Sequence, residues 1–351
     1  MNLKPKPQKK HNIGLLAKPM QYRNKEKDAA VERTMRWSAS APANIALIKY
    51  MGKKDFSKNI PSNPSLSYTL NHLRSFVEIE VSTENEDRWE KHPQLSSASL
   101  SEKEQARFLS HFSFLKNFFN YTGFFYLRSA NNFPASCGLA SSASSFAALT
   151  LCAVTAFCEL QNKPLLSRKD ISQLARLGSG SACRSFFSPF ALWETDYAEN
   201  IDLPYQDLKH RVLLITRKNK KITSSQAHQT VLTSLSFTGR PERAQTRLQL
   251  LINALQKQDW KAAFELVWQE FWDMHCLFET AHPPFSYLLP ESLLALNILR
   301  DFWEKEGDGP LVTMDAGPNI HLLFRPDQKN IYQDLTKKLS KSFQLFAPNE
   351  F

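Results

Sequence analysis

The chain has 351 residues, 42% hydrophobic and 22% charged, which is room for about two domains with a packed core and excludes a wholly disordered or collagen-like protein. Its formal charge of +10 is concentrated: residues 1–36 hold ten Lys or Arg and three acids, a net of +7. The remaining 315 residues keep only +3, which excludes a broad phosphate-neutralising face of the kind nucleic-acid binders use.

Lys4, Lys6, Lys9 and Lys10 open a tail that reads as a solvated, disordered extension over 1–36, with no apolar stretch of the kind a secretory leader needs. The longest small-and-apolar run, Ala147 to Phe157, falls short of the roughly 20 residues that span a bilayer, so the expectation is a cytoplasmic protein without a membrane segment. Five cysteines (Cys137, Cys152, Cys158, Cys183, Cys276) show no C-x-x-C spacing and read as reduced, packed thiols.

From Trp37 onward short apolar runs alternate with turn signals. Ile45 to Tyr50 reads as a strand, Pro61-Ser62-Asn63-Pro64 as a turn, and Phe76 to Val81 as a half-buried strand alternating Val77, Ile79 and Val81 with Glu78 and Glu80. Residues 84–111 read as a polar loop leading into a surface helix, a segment expected to carry no function. A long apolar helix follows over about Ser142 to Leu160, then a second begun by Ser167 with Asp170 at its third position and ended by Gly178. Val212 to Thr216 reads as a strand at the change of domain, 241–275 and 291–306 as helices, and Leu311 to Met314 and Ile320 to Phe324 as strands. The order is mixed α and β in two halves, 37–210 and 211–351.

Four segments hold chemistry-bearing residues. Asn131 to Ser145 puts Gly138, Leu139, Ala140, Ser141 and Ser142 at the start of the long helix. That is either a close-packed helix start or a cradle where free N–H groups and the positive dipole end hold polyphosphate. It lacks the Walker pattern. Gly178-Ser179-Gly180-Ser181-Ala182-Cys183-Arg184-Ser185 places one arginine, either a surface residue or a bidentate carboxylate binder, in a Gly/Ser cluster at a helix end. Lys49, after an apolar strand, is either an edge charge or an active-site cation, with Lys53 four residues on. Asp315, between a strand and Ala-Gly-Pro-Asn, is either a turn cap or a catalytic carboxylate.

Together the runs A-P-A-N-I-A-L-I-K-Y-x-G-K, N-N-F-P-x-x-x-G-L-A-S-S-A, G-S-G-S-A-C-R-S and M-D-A-G-P-N resemble the diphosphomevalonate decarboxylases of the GHMP kinase superfamily, from about Ser38 to Phe324. That likeness implies an α/β (α+β) GHMP kinase fold: an N-terminal domain like ribosomal protein S5 domain 2, a ferredoxin-like C-terminal domain, the active site between them, and a homodimer. It implies ATP and Mg2+ as cofactors and mevalonate 5-diphosphate as substrate. Asp315, Lys49 and Arg184 would be catalytic, Tyr50, Lys53, Ser179 and Ser181 would join Arg184 in holding substrate, and Gly138 to Ser142 would hold the ATP phosphates, with Ser141 or Ser142 near Mg2+. Met51 and Ser188-Pro189 depart from the family's usual Trp and Gly pair. Relatives acting on mevalonate 5-phosphate, or phosphorylating the 3-hydroxyl of mevalonate without decarboxylation, are the neighbouring readings.

Overall fold

The structure, a computed structural model, describes residues 35–92, 100–133, 141–217 and 220–346. The basic tail up to residue 34, Gly138 to Ala140 and Cys137 lie outside these residues.

The first half runs β1 (Arg36–Ile48), β2 (Lys53–Asp55), β3 (Ile60–Pro61), β4 (Ser65–Ser82), β5 (Arg88–Lys91), α1 (Glu102–Phe118), β6 (Phe124–Asn131), α2 (Ser141–Leu160) and α3 (Arg168–Gly178). A 3-10 turn, Gly180–Phe186, then leads to β7 (Phe190–Trp193) and β8 (Ala198–Asn200). The second half runs β9 (Lys209–Leu214), α4 (Ser224–Thr230), α5 (Arg240–Gln256), α6 (Trp260–Glu279), α7 (Pro290–Glu306), β10 (Leu311–Met314), β11 (Ile320–Phe324), α8 (Lys329–Leu339) and β12 (Gln344–Phe346).

Six strands form one sheet in the order β5-β6-β4-β7-β8, with β1 antiparallel on β4. The ladder skips between Pro42↔Arg74 and Ala43↔Leu70, so β4 carries Asn71, His72 and Leu73 through an irregularity. Irregularities of this kind bend a strand and re-aim its side chains. A second, wholly antiparallel sheet is ordered β10-β11-β9-β12.

The outer half of the first sheet and α2 close one core around Val77, Ile79, Phe112, Phe125, Leu149 and Phe157. Ile45, Leu47 and Ile48 at the end of β1 belong instead to the core of the second sheet, with Val212, Leu322, Leu251, Val267 and Leu299. Each such fully buried side chain contributes about 1.5–3 kcal/mol, and the shared core holds the end of β1 against both halves. The α2 helix spans 20 residues and is apolar enough to cross a membrane by length and composition, so the length argument made on 147–157 does not hold. Its burial makes it the core helix of this fold: 72% of its apolar window lies inside the protein.

Three elements differ from expectation. β1 starts at Arg36 and stops at Ile48, leaving Lys49 and Tyr50 outside the ladder, where side chains take over the backbone of Lys49. The strand read at 76–81 is the second half of the 18-residue β4. Helix 241–275 is two helices, because Gln258 takes a left-handed φ of 59° and Asp259 caps Ala262 N at 3.0 Å. Cys152, Cys158 and Cys183 are buried free thiols as packed cysteines should be, whereas Cys276 is exposed on α6.

Candidate active site

Lys49 is 1% exposed, and its Nζ donates to Asp315 Oδ1 at 2.7 Å across a gap of 266 residues. Its backbone is clamped by side chains. The N–H donates to Glu270 Oε1 at 3.0 Å, and the carbonyl accepts from Asn63 Nδ2 at 2.8 Å and Arg240 Nη2 at 3.4 Å. Glu270 and Arg240 are themselves a fully buried pair, extended by Asp273 and Arg247.

Asp315 leaves β10 into a turn closed by Gly317 N donating to Asp315 O at 2.7 Å. Asn319 fastens this turn to the end of β9, its Oδ1 accepting from Ile215 N at 2.7 Å and Thr216 N at 3.2 Å. His275 Nε2 lies 3.2 Å from Asp315 O, and Lys220 Nζ donates to Ala316 O at 3.0 Å. Burial works to raise the Asp315 carboxyl, yet the fields of Lys49, His321 and Arg184 outweigh it and hold it below its usual value. Burial pulls Lys49 below the ordinary lysine value, with Asp315 opposing.

Arg184 is 4% exposed and hydrogen-bonds only neutral groups, Asn44 Oδ1 at 3.2 Å and Ser65 Oγ at 3.0 Å, with Trp193 5.6 Å from its guanidinium. It has no carboxylate partner among the described residues. Asn44 is held in turn by Ser185 Oγ at 2.9 Å and Ser181 O at 3.3 Å.

Tyr50 packs edge-on to Trp193 and against His228, and its buried hydroxyl has no hydrogen-bond partner among the described residues. Gly180 permits this approach: a Cβ there would sit 2.7 Å from the Tyr50 hydroxyl. Gly52 carries a φ of 87°, and its N–H donates to His228 Nδ1 at 3.0 Å. Lys53 Nζ donates to Asn59 Oδ1 at 2.6 Å; burial and the nearby Arg107 charge pull its pKa down to about 8.

Ser179 is buried at the start of the 3-10 turn, and the Ser181 side chain is half-buried beside it. Ser141 and Ser142 form the first turn of α2. The structure therefore brings Lys49, Asp315 and Arg184 within reach of one another's fields, Tyr50 within reach of that of Arg184, and sets Lys53 beside Arg107.

Several of these residues escape sequence reading. Arg107 comes from α1, the segment expected to carry no function, and reaches over Phe146 to donate to Gly178 O at 2.7 Å. No motif marks it. Glu270 did leave a signal: it stands on the buried stripe Ala263, Val267, Glu270, Met274 of α6, where an acid needs a partner. Lys220 and His321 carry no local signal.

Residues 41–202 match the family model described as diphosphomevalonate decarboxylase-like N-terminal domain, and residues 211–348 match the mevalonate 5-diphosphate decarboxylase C-terminal domain. A diphosphomevalonate decarboxylase from Candida albicans is 32% identical over 316 residues, covering 82% of this chain and 83% of the relative. Among solved structures, a mevalonate diphosphate decarboxylase from Legionella pneumophila is similar at a TM-score of 0.85 and 50% identity, over 89% of this chain and 100% of that one. An MDDEF chain in complex with MVAPP, AMPPCP and magnesium reaches 0.80 at 32% identity, over 89% and 96%. With both halves matched and a part-buried Lys49–Asp315 pair whose charge reaches Arg184, the chain belongs to the diphosphomevalonate decarboxylase family.

Proposed function

We propose that the chain decarboxylates mevalonate 5-diphosphate at the expense of ATP, giving isopentenyl diphosphate, ADP, phosphate and carbon dioxide, with Asp315, Lys49 and Arg184 at the reacting atoms. The observation that carries these roles is Arg184, a buried cation with no counter-ion of its own among the described residues, near the Lys49–Asp315 ammonium–carboxylate pair. A buried charge left unpaired is costly, so the site is built for an anion that arrives with the substrate.

In this reading Arg184 holds the substrate carboxylate with two parallel hydrogen bonds. Asp315 orients the 3-hydroxyl and accepts its proton, and Lys49 offsets negative charge at the oxygen as phosphoryl transfer proceeds. Tyr50, Lys53, Ser179 and Ser181 hold the diphosphate, joined by Arg107 beside Lys53 and by Lys220 near Asp315. Loss of phosphate leaves positive character at C3. The carbon–carbon bond to the carboxylate then supplies the electron pair of the new double bond.

The first turn of α2 suits ATP, offering Ser141 and Ser142 with no acidic side chain to repel phosphate, and Gly138, Leu139 and Ala140 precede it outside the described residues. Among the described residues no three His, Cys, Asp or Glu side chains converge as a metal cage, so Mg2+ would be held chiefly through the phosphates, with Ser141 or Ser142 adding a hydroxyl. When bound, ATP with Mg2+ supplies the transferred phosphoryl group and neutralises its charge. The reading treats 37–210 and 211–351 as two domains flanking the site, in a cytoplasmic homodimer. Leu235, 90% exposed, with exposed Leu293 and Leu294, supports a second copy, which light scattering would show as twice the monomer mass.

The direct test incubates the protein with ATP, Mg2+ and carboxyl-labelled mevalonate 5-diphosphate, mevalonate 5-phosphate or mevalonate, following ADP and carbon dioxide together. Equal amounts of both with the diphosphate alone uphold the reading. ADP without carbon dioxide makes the protein a kinase.

Replacing Arg184 by methionine separates binding from folding. The ligand-free variant is expected to melt no lower than the parent, since a lone buried cation is removed. Substrate at 100 times Kd stabilises the parent by about 2.7 kcal/mol; that shift should vanish in Arg184→Met, as calorimetry with and without the diphosphate would read.

Lys53 makes the affinity depend on pH. Its charged form binds the diphosphate and persists below its pKa of about 8, so binding is strongest below that pH and weakens above it. KM for the diphosphate should climb about tenfold per unit beyond the pKa, and Lys53→Arg should flatten the rise.

A further inference from the structure

Three histidines from three strands stand in a row that none of the recognisable motifs contains. His72, in the irregularity of β4, has its Nε2 3.2 Å from Nδ1 of His210 on β9, and His210 Nε2 lies 3.0 Å from Nδ1 of His321 on β11. Neighbouring ring centroids are 5.2 Å apart in both pairs. His210 and His321 are buried and His72 half-buried. Among the described residues no protein atom bonds the two outer nitrogens, His72 Nδ1 and His321 Nε2.

The inner end of this row lies within the field of the candidate catalytic carboxylate. His321 pairs across the ladder with Thr313, two residues before Asp315, which directly follows β10. The charge of Asp315 raises the His321 pKa and that of Lys49 lowers it, so the ring lies within reach of both. The outer end meets solvent. An open pocket of about 360 Å3 is lined by Tyr68, Asn71, His72, Lys209, His210 and Arg211.

Burial, aided by Arg211 beside His72 and His210 and by Lys49 beside His321, pulls His72 and His321 to about 4 and His210 well below its ordinary value. All three rings are therefore neutral near pH 7, each with one N–H and one lone pair. In such a row every N–H can point into the next lone pair, in either direction.

We propose that His321, His210 and His72 form a proton relay between Asp315 and the pocket, carrying the proton of the substrate's 3-hydroxyl to solvent and returning one later. This rests on the functional reading above. Asp315 takes the hydroxyl proton and passes it, through one water, to His321 Nε2. His321 gives its Nδ1 proton to His210 Nε2, His210 gives its Nδ1 proton to His72 Nε2, and His72 releases its Nδ1 proton to water. Each ring ends in its other tautomer, uncharged. When phosphate departs from C3 it needs a proton, and one entering at His72 Nδ1 runs the row backwards and restores the first tautomers. The complete reaction neither gains nor loses a proton, and the relay is reset once per turnover.

The test compares the full-length parent with His210→Phe, which keeps an aromatic ring but cuts the row, and with His72→Ala, which opens its solvent end. Carbon dioxide release, KM for the diphosphate and the rate in D2O are measured, with and without added imidazole. The relay predicts kcat roughly 10–100-fold lower in both, at or below the low end of what positioned proton transfer contributes, with unchanged KM and a larger D2O effect. Added imidazole should restore His72→Ala through the open pocket and leave His210→Phe slow. Parent-like kcat and D2O effect in both variants would overturn the proposal, and so would a loss of rate with neither an increased D2O effect nor imidazole rescue, which marks a merely structural contact. An inactive parent would instead sink the functional reading.

Discussion

Asp315→Asn is expected to stop ADP and carbon dioxide formation together, with kcat falling at least about 10²–10⁴-fold, the range of a positioned general base. The amide keeps the shape of the side chain but can neither accept the hydroxyl proton nor balance Lys49, whose Nζ now lies 2.7 Å from Asp315 Oδ1. With the carboxylate gone, burial acts on Lys49 against the more distant Glu270 alone, and the ammonium sheds its proton more readily. One substitution thus removes both a base and the charge that offsets the phosphoryl oxygen, so the loss exceeds either alone. Stability should fall toward the low end of the roughly 3–5 kcal/mol that breaking a buried pair costs, because the Asp315 side chain is 31% exposed. Rapid-quench measurement of ADP and carbon dioxide checks the first part, and chemical denaturation the second. ADP formation at the parental rate would show that Asp315 is not involved in phosphoryl transfer. The sign of the Asp315 shift adds a pH corollary: its base form is the stable one from the ordinary carboxylate range upward, so its protonation should impose no loss of rate between pH 5 and pH 7.

Arg240→Ala should be the most destabilising single change in this region. Arg240 and Glu270 are both 0% exposed, and removing the arginine leaves a buried carboxylate sharing only Arg247. The expected cost is about 3–5 kcal/mol, which in a chain of this size lowers Tm by on the order of 5–10 °C. Because Glu270 Oε1 also accepts the Lys49 N–H and Arg240 donates to the Lys49 carbonyl, kcat should fall with stability. Replacing both partners, Arg240→Met with Glu270→Leu, removes the orphaned charge; its stability should exceed that of Arg240→Ala, while kcat stays low because the Lys49 clamp is gone. A double variant less stable than the single would refute the buried-pair account.

Features that depend on neighbours along the chain were legible in the residues alone. The helix start at Ser167 follows from its capping oxygen and the stop at Gly307 from glycine's left-handed freedom, and both are where the sequence places them; Gly178 also closes its helix where expected, but without a left-handed φ, at a point where a Cβ would meet Phe146 and His111. The four motif runs identified the family and pointed to Lys49, Arg184 and Asp315 individually. That Lys49 and Asp315 form one pair came from the fold, since a contact spanning 266 residues depends on how β1 and β10 are packed together. The same holds for Arg107, for the Glu270–Arg240 clamp that replaces the ladder where β1 stops, and for the three histidines aligned from β4, β9 and β11. The break between α5 and α6 escaped periodicity because the apolar stripe continues across it, while a left-handed Gln258 and the Asp259 cap turn the chain. Periodicity and capping act over a few residues, whereas a buried charge finds its partner through the packing of two sheets, which no local pattern encodes.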